Sequence, residues 1–569
     1  MWNVLLFLTL ILSKPAFSQD DPLRLSVYAT AGGLQRYAAT PDGAAKVEQA
    51  LRKLKVTGIF LEGRRGDEYV PPSELARLRD YFQSRGFRVA GGIATVPGKS
   101  FGVRQNVGYG WLNWEAEKTQ QEIIRFFREN AQVFDEIVVD DFYCTEDTSP
   151  ISEKARGSKS WGEYRRDLLA GLIPRLIVQP ARAERLSVRL IIKYPQWYDR
   201  FHLFGYAPDR MSPLFNKVWI GTEVRNPETQ RMGFVQPTMG YMDYRWIAST
   251  SGGKAEGAWF DHIECTAQNF VDQAYQSVLA GAKELTLFQL GDVMEGHPGH
   301  APFLAALPEL RDLAKRVGGK QPDGWVFYKP PASDSDENLY LADYMAMLGL
   351  PVVPDAHCPS GARGIIAASQ AADDPELIAK LTGHLAKGGA VLFTPHAIRR
   401  AGKEAAALAG VRVSARPISG QAAEANNAAL PIPVDVDLGL EAPAAVTKMT
   451  AVAGGKRVPL LTSRKAGRGS VFVLNIRTFS EQDYQATGER LLPPRKLGWP
   501  YIPQSLADPL RDHLLKPLGI RFAGPSRVAL YQFGGEFGLY NFRAAEVKLQ
   551  LNGKSIALPA NGWRWASSR

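Results

Sequence analysis

The chain has 569 residues, of which 45% are hydrophobic and 22% charged, and its formal net charge is +10. This composition excludes a largely disordered chain and indicates a globular protein of roughly two to four domains. The basic residues are scattered and form no long Lys/Arg block, so we expect no nucleic-acid partner. An acidic polysaccharide would suit the mild positive charge, but the charge does not require one.

An apolar segment opens the chain. Residues 4–12 are almost entirely hydrophobic, and Ala16-Phe17-Ser18 supplies small residues before Gln19. This pattern predicts a signal peptide over residues 1–18 and a secreted or periplasmic protein. An uncleaved anchor is the alternative, but the segment is short for a membrane span, and we expect no span after cleavage.

Short apolar runs then alternate with longer amphipathic stretches. The runs are 25–28, 58–61, 87–91, 137–139, 188–192, 218–220, 258–260 and 285–288. Most are apolar at consecutive positions, which is typical of strands buried on both faces of a parallel sheet. Helical patterns lie between them, at 41–55, 72–85, 115–130, 161–179, 266–280 and 301–316. Eight such units predict a (β/α)₈ TIM barrel over residues 22–318, and an open doubly wound α/β sheet is the alternative.

The chain changes character after residue 318. Predicted strands at 325–328, 364–367, 390–393 and 470–474, with helices at 339–348 and 376–387, indicate a flavodoxin-like α/β domain over residues 319–524. Residues 421–429 are rich in Ala and Asn and are predicted to form a surface loop. Short alternating runs and the Asn552-Gly553 turn predict a small β domain over residues 525–569.

Polar residues collect where the predicted barrel strands end, which is where barrel enzymes place their active sites. Carboxylates follow the second, fourth, sixth, seventh and eighth strands, and seven of the twelve Trp residues lie in the barrel region. Hydrolysis of a glycosidic bond needs two carboxyl groups, and aromatic faces suit sugar rings. We therefore expect an oligo- or polysaccharide substrate and no organic cofactor.

Five carboxylates are the catalytic candidates. They are Asp140, Asp141, Glu223, Asp261 and Glu264. Unused carboxylates directly after a buried strand would be costly, which favours a function for Asp140 and Asp141. Successive strand residues point to opposite faces, so we expect one of these two to face the lumen and the other to cap the next loop. Ion pairs, for example with Arg225, are the alternative for the other three.

Seven further residues are predicted to contact the substrate. They are Glu62, Tyr143, Lys193, Tyr194, Trp197, Tyr198 and Arg225. Lys193 could hold a carboxylate of the site or of an acidic sugar. The structural alternatives are an ion pair between Glu62 and the neighbouring Arg64 or Arg65, and core packing for Trp197 and Tyr198.

Metal ligands and thiols give weaker signals. His297 and His300, with Glu295, have ligand types on a Gly/Pro-rich loop, but no helix fixes them, and we predict no metal site. The three cysteines are Cys144, Cys265 and Cys358, so at least one thiol is free. A Cys144–Cys265 disulfide stays open, and buried thiols are favoured.

Three runs resemble a group of bacterial barrel proteins that are usually described as glycoside-hydrolase-like. They are residues 136–143 (EIVVDDFY), 191–198 (IIKYPQWY) and 221–225 (GTEVR). The layout of barrel, amidotransferase-like α/β domain and small β domain is similar to that of family 42 β-galactosidases. The second domain has no convincing Cys–His–Glu set, because Cys358 lies in a His-Cys-Pro loop. We therefore expect that domain to be structural or to form a homo-oligomer.

The resemblance to family 42 implies an acid/base Glu after strand four and a nucleophile Glu after strand seven. Glu264 matches the second position, but Asp140-Asp141 stands where an Asn-Glu pair is expected. Barrel hydrolases of the α-galactosidase kind instead carry an Asp nucleophile after strand four. Under that resemblance Asp140 or Asp141 would be the nucleophile, and Glu223 or Asp261 the acid.

The sequence thus predicts a secreted glycoside hydrolase that acts through a carboxylate pair at the barrel rim. A carbohydrate-binding barrel without catalysis is one alternative. A metal-dependent hydrolase or lyase that uses His297 and His300 is the other.

Overall fold

A closed barrel forms the first half of the chain. The computed structural model describes residues 21–229, 231, 233–418 and 420–567, so the predicted signal peptide lies outside the described residues. The barrel strands are β1 (Arg24–Ala29), β2 (Gly58–Arg65), β3 (Arg88–Ala94), β4 (Glu136–Val139), β5 (Arg189–Tyr194), β6 (Lys217–Gly221), β7 (Ala255–Asp261) and β8 (Glu284–Phe288). All pair in parallel, and β1 pairs with both β2 and β8. This closure confirms the TIM barrel and excludes the open sheet.

Helices surround the barrel. The longer ones are Gly43–Lys53, Pro72–Ser84, Glu117–Val133, Trp161–Ile173, Met239–Thr250, Ala267–Leu279 and His300–Val317. Between β5 and β6 the α-helices are short, Phe201–Phe204 and Pro208–Met211, and 3-10 turns flank them. Helix Met239–Thr250 has no counterpart among the predicted helices, because the second domain covers its outer side and its residues are buried almost all round. A helix buried on every side lacks the amphipathic period by which helices are recognised.

Aromatic side chains fill the barrel interior. Tyr28, Phe60, Trp219 and Trp259 belong to one buried cluster inside the barrel. Gly257 makes room for them, because a Cβ atom at this position would lie 2.1 Å from the Trp219 indole. The interior is therefore a packed core, and ligands can enter only at the rims.

A second open sheet follows the barrel. Its strands are β9 (Trp325–Tyr328), β10 (Val352–Asp355), β11 (Gly364–Ala367), β12 (Ala390–Phe393), β13 (Ala422–Ala425), β14 (Ala428–Val434), β15 (Val446–Ala453), β16 (Lys456–Ala466) and β17 (Gly469–Leu474). Its helices are Leu341–Met347, Leu377–Ala386, Pro395–Ala401, Lys403–Ala409, Glu481–Thr487 and Gln504–Leu514. The five parallel strands are ordered β10-β9-β11-β12-β17, which is the flavodoxin-like order, and antiparallel strands extend the sheet beyond β17.

The loop predicted over residues 421–429 is wrong. These residues form a hairpin between β13 and β14, in which Ala425 pairs with Ala428. Asn426 and Asn427 turn the chain with φ values of 48° and 62°. Asn tolerates this left-handed conformation, which two-residue hairpin turns require, so the Asn pair was a turn signal within a strand pair.

Small antiparallel sheets end the chain. Their strands are β18 (Val528–Phe533), β19 (Glu536–Asn541), β20 (Val547–Leu551), β21 (Lys554–Leu558) and β22 (Trp563–Ser567). The predicted Asn552-Gly553 turn joins β20 to β21. Residues Pro322–Asp323, just after the barrel, pair with β18, so the C-terminal module is tied back to the barrel exit. Within the described residues, we find no helix with the length and apolarity that crossing a membrane requires.

The second domain packs against the loops that follow β5 and β6. Asp199 accepts a hydrogen bond from the Tyr340 backbone N–H at 2.7 Å and lies 3.5 Å from Lys329. Trp246 donates to the Lys329 carbonyl at 2.8 Å. These buried contacts bring residues 489–492 of the second domain over the C-terminal mouth of the barrel.

Candidate active site

One buried lysine gathers carboxylates from two strand ends. The Lys193 ammonium on β5 donates to Glu223, beyond β6, at 2.8 Å and to Asp141, beyond β4. It also lies 3.6 Å from Asp140 and 4.7 Å from the centre of the Trp259 ring. Two oxygens that share one ammonium donor lie within about 6 Å of each other, so these carboxylates form a compact cluster.

Asp140 is held from a second side by Arg65 at the end of β2. Arg65 donates from Nη2 to Asp140 at 2.9 Å and from Nη2 and Nε to Glu62 at 2.9 and 3.1 Å. Glu62 also accepts from the Tyr28 hydroxyl at 2.6 Å and from the Ala31 backbone at 2.7 Å. Glu62 therefore fixes the guanidinium that in turn orients Asp140.

Asp261, the last residue of β7, faces the same cavity. Its carboxylate pairs with Arg225, and its Oδ1 accepts from the Ile263 backbone at 3.2 Å. Phe260, one residue earlier, packs outward against Phe270 and Phe303. The period of two along β7 thus directs Asp261 and Trp259 inward.

The surroundings separate the pKa values of these carboxyls. Burial opposes ionisation of Asp140, but the positive charges of Lys193 and Arg65 outweigh it and lower the pKa of Asp140. Burial, with the negative charges of Asp140 and Glu223, raises the pKa of Asp141 to about 7. Burial also raises the pKa of Asp261 to about 6, despite the Arg225 charge. The cavity therefore places a carboxyl group with a lowered pKa beside two whose pKa values are raised toward neutral pH.

These side chains line a cavity of about 460 Å³. Trp197, Trp259, Phe142 and Phe288 give it aromatic walls. Glu489, Leu491 and Leu492 of the second domain form another part of its lining. A cavity with few converging charges and several aromatic faces is typical of a site for a small ligand or a sugar unit.

Comparison with known families decides what kind of barrel this is. A family model described as "Probable glycosyl hydrolase, catalytic domain" matches residues 13–301. The chain belongs to this family. The match spans all eight barrel strands and with them Asp140, Asp141, Glu223 and Asp261 of the cavity.

This glycosyl hydrolase domain has a curated relative and several structural neighbours. An uncharacterised protein of Saccharolobus solfataricus is 25% identical over 322 residues, which are 52% of this chain and 52% of that protein. The chain thus spans about half the length of the curated relative it matches.

Three solved structures show the same fold at low sequence identity. A β-galactosidase from Rahnella sp. R3 has a TM-score of 0.66 at 11% identity and covers 96% of this chain and 98% of its own. A GH42 β-galactosidase from G. stearothermophilus has a TM-score of 0.65 at 11% identity, with coverages of 96% and 98%. An α-L-fucosidase from Paenibacillus thiaminolyticus has a TM-score of 0.59 at 13% identity and covers 93% of both chains. The expected architecture of barrel plus additional domains is confirmed.

Four of the five predicted catalytic carboxylates meet in the cavity at the barrel mouth. Asp140, Asp141, Glu223 and Asp261 line it. The expectation that only one of Asp140 and Asp141 faces the lumen is wrong. Strand β4 ends at Val139, so the alternation of strand side chains no longer governs the two residues that follow. Glu264 is not among the lining residues. Its backbone is left-handed, with a φ of 54°, and its side chain, 26% exposed, pairs with Arg231 at 2.6 Å.

Three of the predicted substrate contacts line the cavity: Lys193, Trp197 and Arg225. The other four do not, and each has a structural partner. Glu62 bonds Arg65, as its alternative predicted, and Tyr143 donates to the Leu169 carbonyl at 2.8 Å. Tyr194 lies 3.1 Å from Ser212, and Tyr198 donates to Asp343 of the second domain at 3.2 Å. Tyr194 points away from the cavity because Lys193, its neighbour on β5, points into it, and successive strand side chains face opposite sides.

Eleven lining residues are absent from the predicted site residues. They are Arg65, Tyr109, Phe142, Gln196, Arg231, Trp259, Ile263, Phe288, Glu489, Leu491 and Leu492. Arg65 could have been found from the sequence, because it is a polar residue at the end of a barrel strand, β2. The residues near position 490 carry no local signal, because their place at the barrel mouth follows from domain packing.

The predicted histidine and cysteine features have structural roles. His262 donates from Nδ1 to the Phe288 carbonyl, 2.9 Å away, and its Nε2 lies 2.9 Å from Nε2 of His300. His297 Nε2 lies 3.3 Å from the Cys265 carbonyl. These ring nitrogens bond within the protein, and no group of His, Cys, Asp and Glu among the described residues is arranged to hold a metal. Cys144, Cys265 and Cys358 are all free thiols, so the possible Cys144–Cys265 disulfide is absent.

Proposed function

We propose that this chain hydrolyses a glycosidic bond with carboxyl groups of the cavity at the barrel mouth. The observation that carries the proposal is the convergence of Asp140, Asp141, Glu223 and Asp261 on one cavity in a glycosyl hydrolase family domain. Glycoside hydrolysis requires an ionised carboxylate and a protonated one on either side of the bond. Carboxyls whose surroundings separate their pKa values meet that requirement.

Asp140 is the proposed ionised partner, acting as nucleophile or as the base that activates water. Lys193 and Arg65 keep it anionic, and its carboxylate lines the cavity. Asp261 is the proposed proton donor, because its pKa is raised to about 6 and β7 lies three strands away from β4 round the barrel. A bond held between these strands would have one carboxyl group on each side.

Lys193 is a proposed positioning residue. Burial alone would lower the pKa of its ammonium, but Asp141, Glu223 and Asp140 raise it, so Lys193 stays charged. Its donors hold Asp141 and Glu223 in place, and the raised pKa of Asp141 makes that residue the alternative proton donor.

The test is a screen of residues 19–569 against aryl glycosides of both anomeric types, including uronides. Asp140→Asn and Asp261→Asn are compared with the wild type and with Asp272→Asn as a matched control. Asp272 is also a buried carboxyl with a pKa raised to about 6, but it bonds Tyr540 of the C-terminal module and lies outside the cavity. On glycosides whose leaving group needs a proton, such as unsubstituted phenyl glycosides, we expect turnover to fall by about 10³-fold or more in the first two variants and to persist in the control. Full turnover in both cavity variants would refute the assignment.

Leaving-group and pH dependence separate the two roles. Asp261→Asn should retain activity on dinitrophenyl glycosides, whose leaving group needs no proton, whereas Asp140→Asn should not. The wild-type kcat/KM should fall as pH rises through the pKa of the proton donor. A fall near pH 6 supports Asp261, and a fall near pH 7 supports Asp141.

One observation favours a carbohydrate-binding barrel as the second candidate. Each of the four carboxylates contacts Lys193, Arg65 or Arg225, so the cluster could hold sugar hydroxyls without reacting. In that case Asp140→Asn would weaken binding of a sugar for which the wild type shows no turnover.

We also propose that residues 1–18 direct the chain out of the cytoplasm. The apolar segment 4–12 supports this proposal, and an exported protein that begins at Gln19 by mass spectrometry would test it. Association through the amidotransferase-like second domain stays a prediction, which sedimentation velocity would test.

A further inference from the structure

A second cavity adjoins the proposed catalytic cavity. It has a volume of about 510 Å³ and lies between loops of the barrel and helix Glu481–Thr487 of the second domain. Glu489 lines both cavities. Gln485 and Gly488, on the second-domain side, are exposed, so the second cavity opens to solvent. The two cavities therefore share a wall and lie side by side at the barrel mouth.

An exposed aromatic ring stands at the shared wall. Tyr109 lines the first cavity with 47% of its surface exposed, and its ring packs against Trp111 at 5.3 Å. Its backbone N–H donates to Glu146, a lining residue of the second cavity, at 2.7 Å. The Arg490 guanidinium lies 5.4 Å from the Tyr109 ring centre and pairs with Glu146. This exposed aromatic ring at the junction of the two cavities offers a stacking surface for the face of a sugar ring.

Charges in the second cavity are balanced. Three guanidinium groups and three carboxylates line it: Arg165, Arg200, Arg490, Glu146, Glu481 and Glu489. A strongly charged ligand would meet like charges wherever it lay. A neutral polyhydroxyl ligand can use both kinds of group, because each hydroxyl both donates and accepts. The lining therefore suits an uncharged sugar better than an anion or a cation.

Arg165 is a buried residue in the wall of the second cavity. It is 7% exposed and donates to the carbonyls of Leu203 and Glu146 at 2.7 and 2.8 Å. Its Nε has no hydrogen-bond acceptor among the described residues. This Nε atom is itself buried and cannot be reached from the cavity, so Arg165 contributes to the cavity wall by holding the segments that carry Leu203 and Glu146.

The geometry points to the second cavity as a saccharide subsite for the leaving-group side of the substrate. The sugar that is cleaved off would occupy the first cavity, and the next sugar would cross the Tyr109 wall into the second. The substrate class is then an uncharged di- or oligosaccharide. This inference rests on the proposed function and deepens it.

The test compares disaccharides with methyl glycosides of the same sugar. Galactose, glucose, mannose and fucose are each offered as the methyl glycoside and as the 1,4-linked disaccharide, in both anomeric forms. Both kinds have an alcohol as leaving group, so a difference in kcat/KM reports binding beyond the cleaved sugar and little intrinsic reactivity. We expect the disaccharide of the accepted sugar to be favoured by about tenfold or more.

Two variants address the second cavity by different means. Arg490→Ala removes a donor from it, and Gln485→Trp fills it from its exposed edge. Both should reduce the preference for the disaccharide by about tenfold. Lys496→Ala is the matched control, because Lys496 is in the same segment and pairs with Glu228, but lines neither cavity. The preference should survive in the control.

The outcomes separate the two proposals. A preference that disappears in both variants and stays in the control supports the subsite. Equal kcat/KM for the disaccharide and the methyl glycoside overturns the subsite and leaves the hydrolase proposal intact. A preference that persists in both variants also overturns it. If neither these compounds nor the aryl glycosides are cleaved, the hydrolase proposal fails, and the subsite fails with it.

Discussion

The barrel buries carboxylates at both ends, but the amount of positive charge that compensates them differs between the two ends. At the N-terminal end, Glu284 is 0% exposed and bonds two guanidiniums, Arg24 at 3.1 Å and Arg88. Burial opposes its ionisation, but Arg88 and Arg24 lower the pKa of Glu284 below its ordinary value. This carboxylate is compensated by more positive charge than it carries.

At the C-terminal end, the buried carboxylates outnumber the positive charges that pair with them. Asp140, Asp141, Glu223 and Asp261 share Lys193, Arg65 and Arg225, and Arg65 is also engaged by Glu62. Burial and like charges raise the pKa of Asp141 to about 7. Excess negative charge in a buried site lowers stability and is expected where chemistry needs it. One end of this barrel therefore stabilises the fold, and the other holds groups ready to exchange protons.

Loss of Lys193 should have the largest effect on stability. Lys193→Met leaves three buried carboxylates without their shared cation, so we expect the free energy of unfolding to fall by about 3–5 kcal/mol at pH 8. The loss should be smaller at pH 5, where the carboxyls can take up protons. Urea unfolding at both pH values measures it. An equal loss at both would show that the carboxylates are not what Lys193 compensates.

Loss of Glu284 should lower stability without affecting catalysis. Glu284→Gln removes the negative charge that Arg24 and Arg88 share, but Arg24 keeps Glu256 at 3.5 Å and both arginine side chains are partly exposed, so we expect a fall of about 2 kcal/mol in the free energy of unfolding. Turnover per folded molecule should match the wild type, since Glu284 lies at the opposite end of the barrel. A large loss of kcat in this variant would break the distinction between the two ends.

The two ends should respond to pH in opposite directions. Because the pKa of Glu284 is lowered in the folded state, its contribution to stability is present above the ordinary Glu pKa and is lost as pH falls further. Because the pKa of Asp141 is raised to about 7, its contribution is lost as pH rises from the ordinary Asp value through 7. Relative to the wild type, Asp141→Asn should therefore be more stable at pH 8 than at pH 5. The same trend in Glu284→Gln would show that the two ends do not differ in charge balance.

Glu264→Gln should have the smallest effect. Glu264 is partly exposed, bonds the exposed Arg231 and is not a lining residue of the cavity. We expect kcat/KM within about twofold of the wild type and a change in unfolding free energy below about 0.5 kcal/mol. A loss of turnover comparable to that of Asp261→Asn would restore the family 42 expectation of a catalytic Glu after strand seven.

The barrel was predictable because parallel strands buried on both faces leave continuous apolar runs in the sequence. The rim carboxylates were predictable for the same reason, since polar residues stand out where those runs stop. The orientation of Asp140 and Asp141 was not, because the period of two ends with β4 at Val139. The Asn426-Asn427 hairpin was missed because its Ala-rich strands carry no strong β signal.

Contacts between residues that are distant in the sequence could not be predicted from local sequence patterns. Leu492 and Glu489 lie more than 250 residues after Asp140 and Lys193 in the chain, yet line the same cavity. Their position depends on buried contacts such as Asp199 with Tyr340, which join the two domains. No periodicity or motif encodes such docking, so the second domain was expected only to be structural or to form oligomers.

The residues near position 490 determine how much of the chain must be transferred together if the cavity is to stay complete in another protein. A barrel cut after residue 318 would keep Asp140, Lys193 and Asp261 but would lack the wall that Glu489 and Leu492 provide. It would also expose the buried face of helix Met239–Thr250, which the second domain covers. A portable unit of this architecture must therefore include the second domain, because grafting or shuffling the barrel alone would give a scaffold without a complete pocket.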